Sequence, residues 1–477
     1  MDAVLLSATS ASPIRAVLAV LSGALAGALL LLAAPVAYAT GDGLVRQEVA
    51  FRGGGGLVLH GTVLSKAGAP GPGPGIVLVG GSGAGPREEY RQEAEAFAQA
   101  GITTLAYDKR TVGYSRLQPD FGLLADDALA GVRLLQSRSG VNPRQVGLWG
   151  FSEGGWVAPL AASRSADVGF VVTIGGSGYD PLRTQAWNLT THLRHQGAGG
   201  PFRRTVAGPT AQFLGATGLF PAAGYDPVPV LKQLHRTPVL ALWGEHDTQV
   251  PPQESARIFR ETLARADNRH AVIRFVAGGA HNGHRTTDGF DRIGGPLFHG
   301  KKLGELAPGY AQTTTSWVRA VAAGHPPASS ATPAPGQALV TTPIPGHAWY
   351  AWLAPALLLL GFATYPVSAL LRRGPILRPV RWLAGLGLLA VVTAVACPLA
   401  VFVAGDSAAA PVVWGRPAVW LVAQGFAVAV VVSACVSTAA LWRRRPTPSW
   451  AAWLRLAPVG MAAVGFVPWA VWWGVTA

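Results

Sequence analysis

Short, largely apolar runs separated by longer mixed segments recur through the first part of the chain. Strands that are buried on both faces of a parallel sheet have such a pattern, rather than a strict alternation of apolar and polar residues. A segment that suits a packed helix, residues 156–162, follows one of these runs. The pattern predicts buried strands of a parallel sheet, one of which is followed by a helix. The runs cover residues 76–79, 145–149, 169–174, 237–243 and 271–276.

From residue 347 onward the apolar segments become much longer. Each has about 20 apolar residues, which is enough to cross a bilayer. Eleven of the 16 Trp residues lie beyond residue 346, many of them near segment ends, and Asp406 is the only acidic residue there. Such Trp residues are typical of a membrane interface. We predict an all-α transmembrane domain with four helices over residues 347–477. The four segments are residues 348–371, 382–404, 418–442 and 450–475.

Arginines are unevenly distributed among the loops between these segments. The middle loop holds only Arg416 together with Asp406. Because positively charged loops stay on the cytoplasmic side, we predict that the start of the first segment, and all that precedes it, lies outside. The remaining loop arginines are Arg372, Arg373, Arg378 and Arg381 in the first loop, and Arg443, Arg444 and Arg445 in the third.

The first 39 residues resemble an export signal. Arg15 precedes an apolar run over residues 16–34, and Ala37-Tyr38-Ala39 then matches an A-x-A cleavage site. Because the run is longer than a typical signal core, a cleaved signal peptide and a retained signal anchor both remain open. Either one exports the residues that follow. We therefore predict a multi-pass protein of the cell membrane with an extracytoplasmic domain before residue 347.

The segment from Gly150 to Gly154 fits the motif G-x-S-x-G. This motif marks a sharp turn between a strand and a helix that exposes a nucleophilic serine. An apolar run precedes the motif and a helical pattern follows it, so the expected context is present. We predict that Ser152 is a catalytic nucleophile.

A nucleophilic serine needs a base, and the base needs an acid that orients it. Asp247 follows the fourth apolar run, and His281 follows the fifth after two glycines. The order Ser, Asp, His is that of the α/β-hydrolases. We predict Asp247 as the acid and His281 as the base, with His284, three residues further on, as the alternative base.

Residues 44 to about 322 resemble an α/β-hydrolase, nearest to the bacterial serine aminopeptidases and prolyl-oligopeptidase-like esterases. The resemblance rests on the serine motif, the acid loop at residues 244–251, the glycine-rich loop at residues 80–83 and the turn at residues 108–115. It implies a mostly parallel sheet with helices on both faces and a cap insertion. It also implies oxyanion donors, which we expect to be the backbone N–H groups of Glu153 and of Ser82 or Gly81.

Two motif positions depart from the family. The chain has Gly80-Gly81 where the family has His-Gly, and Thr111 where the family has Gly. The geometry of the oxyanion loop is therefore not fixed by the resemblance. We expect Asp108 and Arg110 to form a structural ion pair.

We divide the exported part into a hydrolase domain over residues 40–324 and a Pro/Ala/Ser/Thr-rich linker over residues 325–346. A cap at about 179–235 is expected to cover the serine. Its aromatic residues and arginines could suit an acyl or aromatic group with a negative end, or could form an ordinary lid core and a solvated surface. The linker composition predicts a semi-extended, poorly ordered segment. The cap residues concerned are Tyr179, Trp187, Phe202, Phe213, Phe220, Tyr225, Arg183, Arg194, Arg203 and Arg204.

Charge and cysteine content exclude several classes of function. The net charge is +14, but residues 40–346 carry 28 Lys and Arg against 22 Asp and Glu, so nucleic-acid binding is not indicated. The only cysteines, Cys397 and Cys435, fall within predicted membrane segments, so the exported domain has no disulfide. The histidines are scattered, and neither a metal site nor another cofactor is expected.

The sequence thus predicts a membrane-anchored serine hydrolase that cleaves an ester, thioester or amide through an acyl-enzyme. Its expected partners are the membrane and a small-molecule or lipid acyl substrate, and the oligomeric state is open. One alternative is an acyltransferase that acts on a lipid or envelope acceptor. Another is a sensor that uses the fold to bind a ligand without catalysis.

Overall fold

The computed structural model describes residues 37–39, 43–116, 118–371, 377–444 and 450–476. Nearly all of the proposed export segment, including Arg15, lies outside the described residues. So do residues 372–376 and 445–449 of the arginine-rich loops. Ala37–Ala39, the A-x-A motif, forms an edge strand in which Tyr38 pairs with Arg46.

A ten-stranded sheet forms the centre of the described hydrolase domain. Its strand order is β1-β2-β3-β5-β4-β6-β7-β8-β9-β12. The first three strands pair antiparallel, β3 pairs antiparallel with β5, and the remaining neighbours pair parallel. The sheet strands are β1 Ala37–Ala39, β2 Leu44–Arg52, β3 Val58–Lys66, β4 Gly73–Val79, β5 Thr103–Tyr107, β6 Val141–Phe151, β7 Val171–Ile174, β8 Val239–Gly244, β9 Ala271–Val276 and β12 Ser330–Ala331. Two short hairpins lie outside the sheet, β10 Leu297–Phe298 with β11 Lys301–Lys302, and β13 Val412–Val413 with β14 Arg416–Pro417.

Helices cover both faces of this sheet because its central strands are apolar on both sides. In β4, Val77 and Val79 belong to one buried cluster, whereas Ile76 and Leu78 belong to a second cluster on the opposite face. The arrangement confirms the predicted α/β-hydrolase fold. The helices that cover the two faces are α1 Arg91–Gln99, α2 Phe121–Gln136, α3 Gly154–Arg164, α8 Pro252–Arg265 and α9 Tyr310–Ala322.

A small helical cap is inserted between β7 and β8, in the region that the sequence predicts. Its first helix has Asp180 at the N-cap, where the side chain accepts a hydrogen bond from the Arg183 N–H group at 2.8 Å. A π-helical turn, Val206–Thr210, joins its second and third helices. The cap helices are α4 Pro181–His195, α5 Gly200–Thr205, α6 Ala211–Thr217 and α7 Pro227–Gln233.

The C-terminal part of the chain is helical, as predicted. In the residues that the structure describes there, four helices are long and apolar enough to cross a membrane. They share one buried cluster with the cap, in which Phe202 packs against Trp420 and Phe213 against Trp473. The cap therefore lies between the sheet domain and these helices. The four helices are α10 Tyr350–Leu371, α11 Arg378–Ala404, α12 Ala418–Arg444 and α13 Trp450–Trp473.

Residues 325–346, which we call the strap, do not form the poorly ordered linker that their composition predicts. Ser330–Ala331 extends the central sheet beside β9. Further along, Thr341 is bound by both Glu254 of α8 and Arg183 of the cap, at 2.8 Å and 2.7 Å. The prediction was wrong because backbone pairing and buried polar contacts fix a Pro-rich segment that has no helical or strand pattern of its own.

Asp108 and Arg110 do not pair with each other, so that expectation was also wrong. Asp108 is bound by Arg87 at 2.8 Å. Arg110 instead donates two hydrogen bonds of 2.6 Å to Asp127 of α2. The side chains of Arg110 and Asp127 are only 4% and 1% exposed, so this pair lies in the core. The hydrogen bonds to Asp127 raise the pKa of Arg110.

The buried ion pair leads to a stability prediction. In Arg110→Met, the Asp127 carboxylate would lose its counter-ion while keeping the Gly54 N–H contact. We expect a loss of about 3–5 kcal/mol, the usual effect of removing one partner of a buried pair. Denaturant or thermal unfolding of the purified protein measures it. Arg265→Met, which removes an exposed pair with Glu261, is the control and should cost under about 1 kcal/mol. Equal losses in the two variants would contradict the prediction.

Candidate active site

Ser152 lies at the sharp turn between β6 and α3. Its φ angle is +53°, a left-handed conformation that non-glycine residues seldom adopt. The Ser152 N–H donates a hydrogen bond of 2.9 Å to the carbonyl oxygen of Ile174, at the end of the neighbouring strand β7. Strained backbone held in this way is typical of functional positions.

The glycines of the motif are required by close backbone contacts. A Cβ atom at Gly150 would lie 2.1 Å from the carbonyl oxygen of Gly154, and one at Gly154 would lie 2.3 Å from that of Val79. A Cβ at Gly155 would lie 2.5 Å from the Cα of Gly176. No side chain fits at these distances, so the motif residues serve the tight packing of the turn.

Asp247 and His281 are brought together from the ends of β8 and β9. His281 Nδ1 lies 2.9 Å from Asp247 Oδ2. The other carboxylate oxygen accepts the N–H groups of Gln249 and Val250 at 2.8 Å and 2.9 Å. The Asp247 side chain is fully buried, and three contacts fix its orientation. This geometry suits an acid that holds one tautomer of an imidazole.

The imidazole of His281 lies beside the serine turn. Its ring centroid is 5.0 Å from that of Phe151, the residue before Ser152. In the described part of the chain, no hydrogen bond joins Ser152 Oγ to His281. Such catalytic contacts commonly tighten only when substrate binds.

His284, the alternative base, is occupied on both ring nitrogens. Its Nε2 lies 2.8 Å from Glu93 Oε1, and its Nδ1 lies 2.8 Å from the carbonyl oxygen of Leu303. Burial alone lowers the pKa of His284, but Glu93 and the Leu303 carbonyl outweigh that effect, and the pKa is raised above its ordinary value. His284 thus fixes the loop after β9 onto α1, and no ring nitrogen remains for Ser152.

The oxyanion loop at residues 80–83 is held by tyrosine side chains. The Gly81 N–H donates to Tyr90 Oη at 2.9 Å, and the Gly83 N–H donates to Tyr114 Oη at 2.8 Å. Gly81 is therefore unsuitable as an oxyanion donor, which corrects one of the two expectations for this loop. Among the described residues, the N–H groups of Ser82 and Glu153 have no hydrogen-bond partner. These two remain the candidates.

The Glu153 side chain has a role that the sequence did not reveal. Its carboxylate is buried and pairs with Lys109, and it lies 3.2 Å from Tyr114 Oη. Lys109 also donates a hydrogen bond of 2.6 Å to the carbonyl oxygen of Gly81 and lies over the Tyr114 ring. The residue after the nucleophile is thus connected to the oxyanion loop. The sequence did not reveal Lys109, Tyr90 and Tyr114 as site residues, because neither their spacing nor their residue type shows that they bind the oxyanion loop or Glu153.

Two cavities flank the turn. The serine cavity, of about 160 Å³, includes Ser152, Ser82 and the cap residues Asn188 and Phe220 in its lining. The histidine cavity, of about 490 Å³, includes His281, Phe151, Tyr90 and Glu93. Gln249 belongs to both linings. In the residues that the structure describes, no group of three His, Cys, Asp or Glu is placed to hold a metal ion.

The cap residues singled out in the sequence mostly face away from Ser152. Of the aromatic residues and arginines named, Phe220 alone lies in the described lining of the serine cavity. Phe202 and Phe213 pack on the C-terminal helices. Arg183 stacks on Tyr179 and binds the strap. Of the two alternatives left open for these cap residues, the lining of the serine cavity thus favours an ordinary lid core with arginines away from Ser152.

One face of cap helix α4 connects the acid loop to the C-terminal region. Asn188 and His192 contact the side chain of Gln249 at 2.5 Å and 3.0 Å. Further along the same face, Gln196 hydrogen-bonds to Asp406, which lies between α11 and α12, and His192 lies 3.8 Å from that carboxylate. Burial lowers the pKa of His192, with Asp406 opposing the effect.

Parts of the chain are similar to known proteins. Residues 123–293, just over a third of the chain, match the model of the prolyl oligopeptidase family. The chain is 37% identical over 83 residues to the polyketide transferase claH of Penicillium crustosum. It is 33% identical over 89 residues to the thiohydrolase apmlB of Arthrinium phaeospermum. These two alignments cover 17% and 18% of the chain. The chain spans less than a third of each relative, 27% and 29%.

The chain resembles DcsB, solved in complex with its substrate analogue, with 21% identity and a TM-score of 0.41. That alignment covers 58% of this chain and 99% of DcsB.

The His284–Glu93 pair predicts a pH-dependent stability. Because the folded-state pKa of His284 is raised, its protonated form adds stability that is fully present below the unfolded pKa of about 6.5. That contribution is lost as the pH rises through the folded value. Glu93→Gln, which keeps the shape but removes the charge, should therefore lower stability by about 1.5–3 kcal/mol near pH 6 and by less near pH 9.

Thermal unfolding across this pH range measures the effect. Glu305→Gln is the control, since its pair with Arg285 is about half exposed, and it should change stability little at any pH. A deficit for Glu93→Gln that grows with pH would contradict the assignment.

Proposed function

We propose that this chain, a serine hydrolase with the α/β-hydrolase fold, cleaves an acyl ester or thioester at the outer face of a membrane. Ser152 Oγ attacks the carbonyl carbon while His281 takes its proton, and His281 then gives the proton to the leaving group. Asp247 orients His281, and the N–H groups of Glu153 and Ser82 stabilise the oxyanion. Water then attacks the acyl carbon while His281 takes a proton from it. The bond to Ser152 Oγ breaks, His281 returns the proton to Oγ, and the acid is released. The Asp247–His281 contact of 2.9 Å beside the strained Ser152 turn carries the proposal.

Charge in the serine cavity favours an ester over an aminoacyl amide. In an aminopeptidase reaction the acyl part carries the free ammonium group, which needs a carboxylate on the acyl side. Among the described residues that line the serine cavity, Glu153 is the only one with a carboxylate, and Lys109 already neutralises it. An ammonium group would therefore meet no available counter-ion. This supports an acyl group without an amine.

Transfer to another acceptor is the second candidate. One relative is called a polyketide transferase and the other a thiohydrolase, so one name describes transfer and the other hydrolysis. The same triad serves either outcome, because the acyl-enzyme can react with a hydroxyl group instead of water. We place hydrolysis first because it needs water alone, whereas transfer also needs a bound acceptor.

Membrane anchoring and orientation belong to the proposal. Four helices of sufficient length and apolar character support the anchor. The arginine-rich first and third loops support a cytoplasmic position for those loops, and hence an extracytoplasmic hydrolase domain. The packing of the cap on α12 and α13 supports a serine site that lies close to the membrane.

The nucleophile is tested with a fluorophosphonate probe. Wild-type protein should be labelled at Ser152, and Ser152→Ala should lose labelling together with about 10⁶-fold of its esterase rate, the scale seen for triad serines. Ser163→Ala, on helix α3 beyond the turn, is the matched control and should keep both. Product analysis with and without an alcohol acceptor separates hydrolysis from transfer. Labelling that persists in Ser152→Ala would refute the assignment.

Orientation is tested by cysteine labelling of intact cells. In a chain with Cys397→Ala and Cys435→Ala, Ser139→Cys on the exposed surface of the hydrolase domain should react with a membrane-impermeant maleimide. Thr447→Cys, between the third and fourth apolar segments, should react only after lysis. The reverse pattern would place the hydrolase domain in the cytoplasm.

A further inference from the structure

Arg116 lies in the wall of the serine cavity and was not singled out by its sequence context. It follows the turn at residues 108–115, and its side chain is exposed. A Cβ atom at Gly83 would meet Arg116 Cδ at 3.9 Å and Nε at 4.0 Å, so the arginine runs beside the oxyanion loop. Arg116 therefore lies at the edge of the serine cavity, on the side of the oxyanion loop.

The charge of Arg116 is not neutralised by the protein. Among the described residues, no carboxylate lies within ion-pair distance of it. Glu153, the carboxylate in the lining of the same cavity, is occupied by Lys109 and Tyr114. The other polar side chains named there are neutral amides and hydroxyl groups, such as Gln185, Asn188 and Thr184. An anionic ligand would thus meet one available cation and no opposing charge.

The position of the two cavities indicates which part of a substrate meets Arg116. The leaving group must lie next to His281, because that residue donates a proton to it. The histidine cavity therefore suits the leaving group, and the serine cavity, which contains the candidate oxyanion donors, suits the acyl part. Arg116 then lies on the acyl side of the reaction.

The size and lining of the serine cavity limit the acyl group. The serine cavity, of about 160 Å³, is smaller than the histidine cavity of about 490 Å³, which favours a short acyl chain. Phe121, Trp156 and Val250 supply apolar surface for methylene groups. An arginine at the rim of such a cavity suits a carboxylate at the far end of the chain.

We propose that Arg116 is a specificity-determining residue that binds a terminal carboxylate on the acyl group. The preferred substrates are then half-esters or half-thioesters of short dicarboxylic acids. This inference rests on the proposed hydrolase function and names its substrate class. It differs from the alternative in which cap arginines meet a negative end of the substrate, because Arg116 comes from the loop after β5.

The test compares two esters that share a leaving group. Monobenzyl succinate and benzyl butyrate differ only in whether a carboxylate or a methyl group ends the acyl chain. Release of benzyl alcohol by the full-length protein in detergent gives kcat/KM for each ester. The variants are Arg116→Gln and, as a matched loss of one exposed positive charge remote from the cavity, Arg133→Gln on helix α2.

We expect wild-type protein and Arg133→Gln to prefer the succinate ester. Arg116→Gln should lower kcat/KM for the succinate ester by about 10- to 100-fold, the range for a hydrogen bond to a charged group, and change the butyrate ester less than about twofold. Because Arg116 is exposed, 0.5 M salt should reduce the wild-type preference and leave Arg116→Gln unchanged. A merely structural arginine would instead affect both esters alike.

A fluorophosphonate probe with an uncharged alkyl chain separates the two levels of the proposal. If the probe labels Ser152 but the succinate ester is not preferred, or Arg116→Gln does not reduce the preference, the hydrolase assignment stands and the role of Arg116 is overturned. If Ser152 is not labelled and neither ester is cleaved, the proposed function fails and this inference fails with it.

Discussion

The close approach of backbone segments at the Ser152 turn is the constraint on which the rest of the site depends. Gly150 has no room for a Cβ atom because the turn folds back on itself at Gly154, and Gly154 and Gly155 have none because the turn packs on the end of β4 and on the segment after β7. The turn can therefore exist only where these neighbouring strands end at one edge of the sheet. The same edge carries the loops of Asp247 and His281, since β8 and β9 are the next strands in the order. A local steric requirement thus places the Ser152 turn at the sheet edge that also carries Asp247 and His281.

Most of the charged side chains at this edge of the sheet pair with each other inside the protein. Glu153 is matched by Lys109, and Glu93 by His284, each inside the protein. A buried charge without a partner is costly, so these pairs stabilise particular loop positions relative to alternatives in which a partner is lost. They hold the oxyanion loop and the loop after β9 in place on either side of Ser152. Arg116 differs because it lies at the exposed rim, where water solvates its charge and an anionic ligand can pair with it.

The sequence predicted the parts of the structure that depend on local pattern. Buried parallel strands, the turn around Ser152 and four apolar helices all have periodicity or composition of their own. Contacts between distant residues were not predictable in that way. Asp127, for example, has no distinctive sequence context in α2, yet Arg110 forms its ion pair with Asp127 and not with Asp108. The strap was expected to be poorly ordered because nothing in its own sequence indicates Glu254 and Arg183, the residues that bind Thr341. The sequence did not indicate which way the cap aromatic residues face, because the C-terminal helices on which Phe202 and Phe213 pack are distant along the chain.

The cap is where the serine site and the apolar helices meet, and it is held on both sides. Toward the sheet, Asn188 and His192 contact Gln249, whose N–H binds the Asp247 carboxylate. Toward the helices, the Gly199 N–H donates to the Gly415 carbonyl oxygen at 2.5 Å, and Thr205 donates to that of Trp473 at 2.8 Å. Opening the cap as a rigid lid would break one set of contacts or the other. Removing the C-terminal helices would expose the apolar surface around Phe202 and Phe213 and leave the cap supported on one side only. The helices are therefore part of what positions the wall of the serine cavity, and the catalytic domain is not an independent unit merely tethered to them.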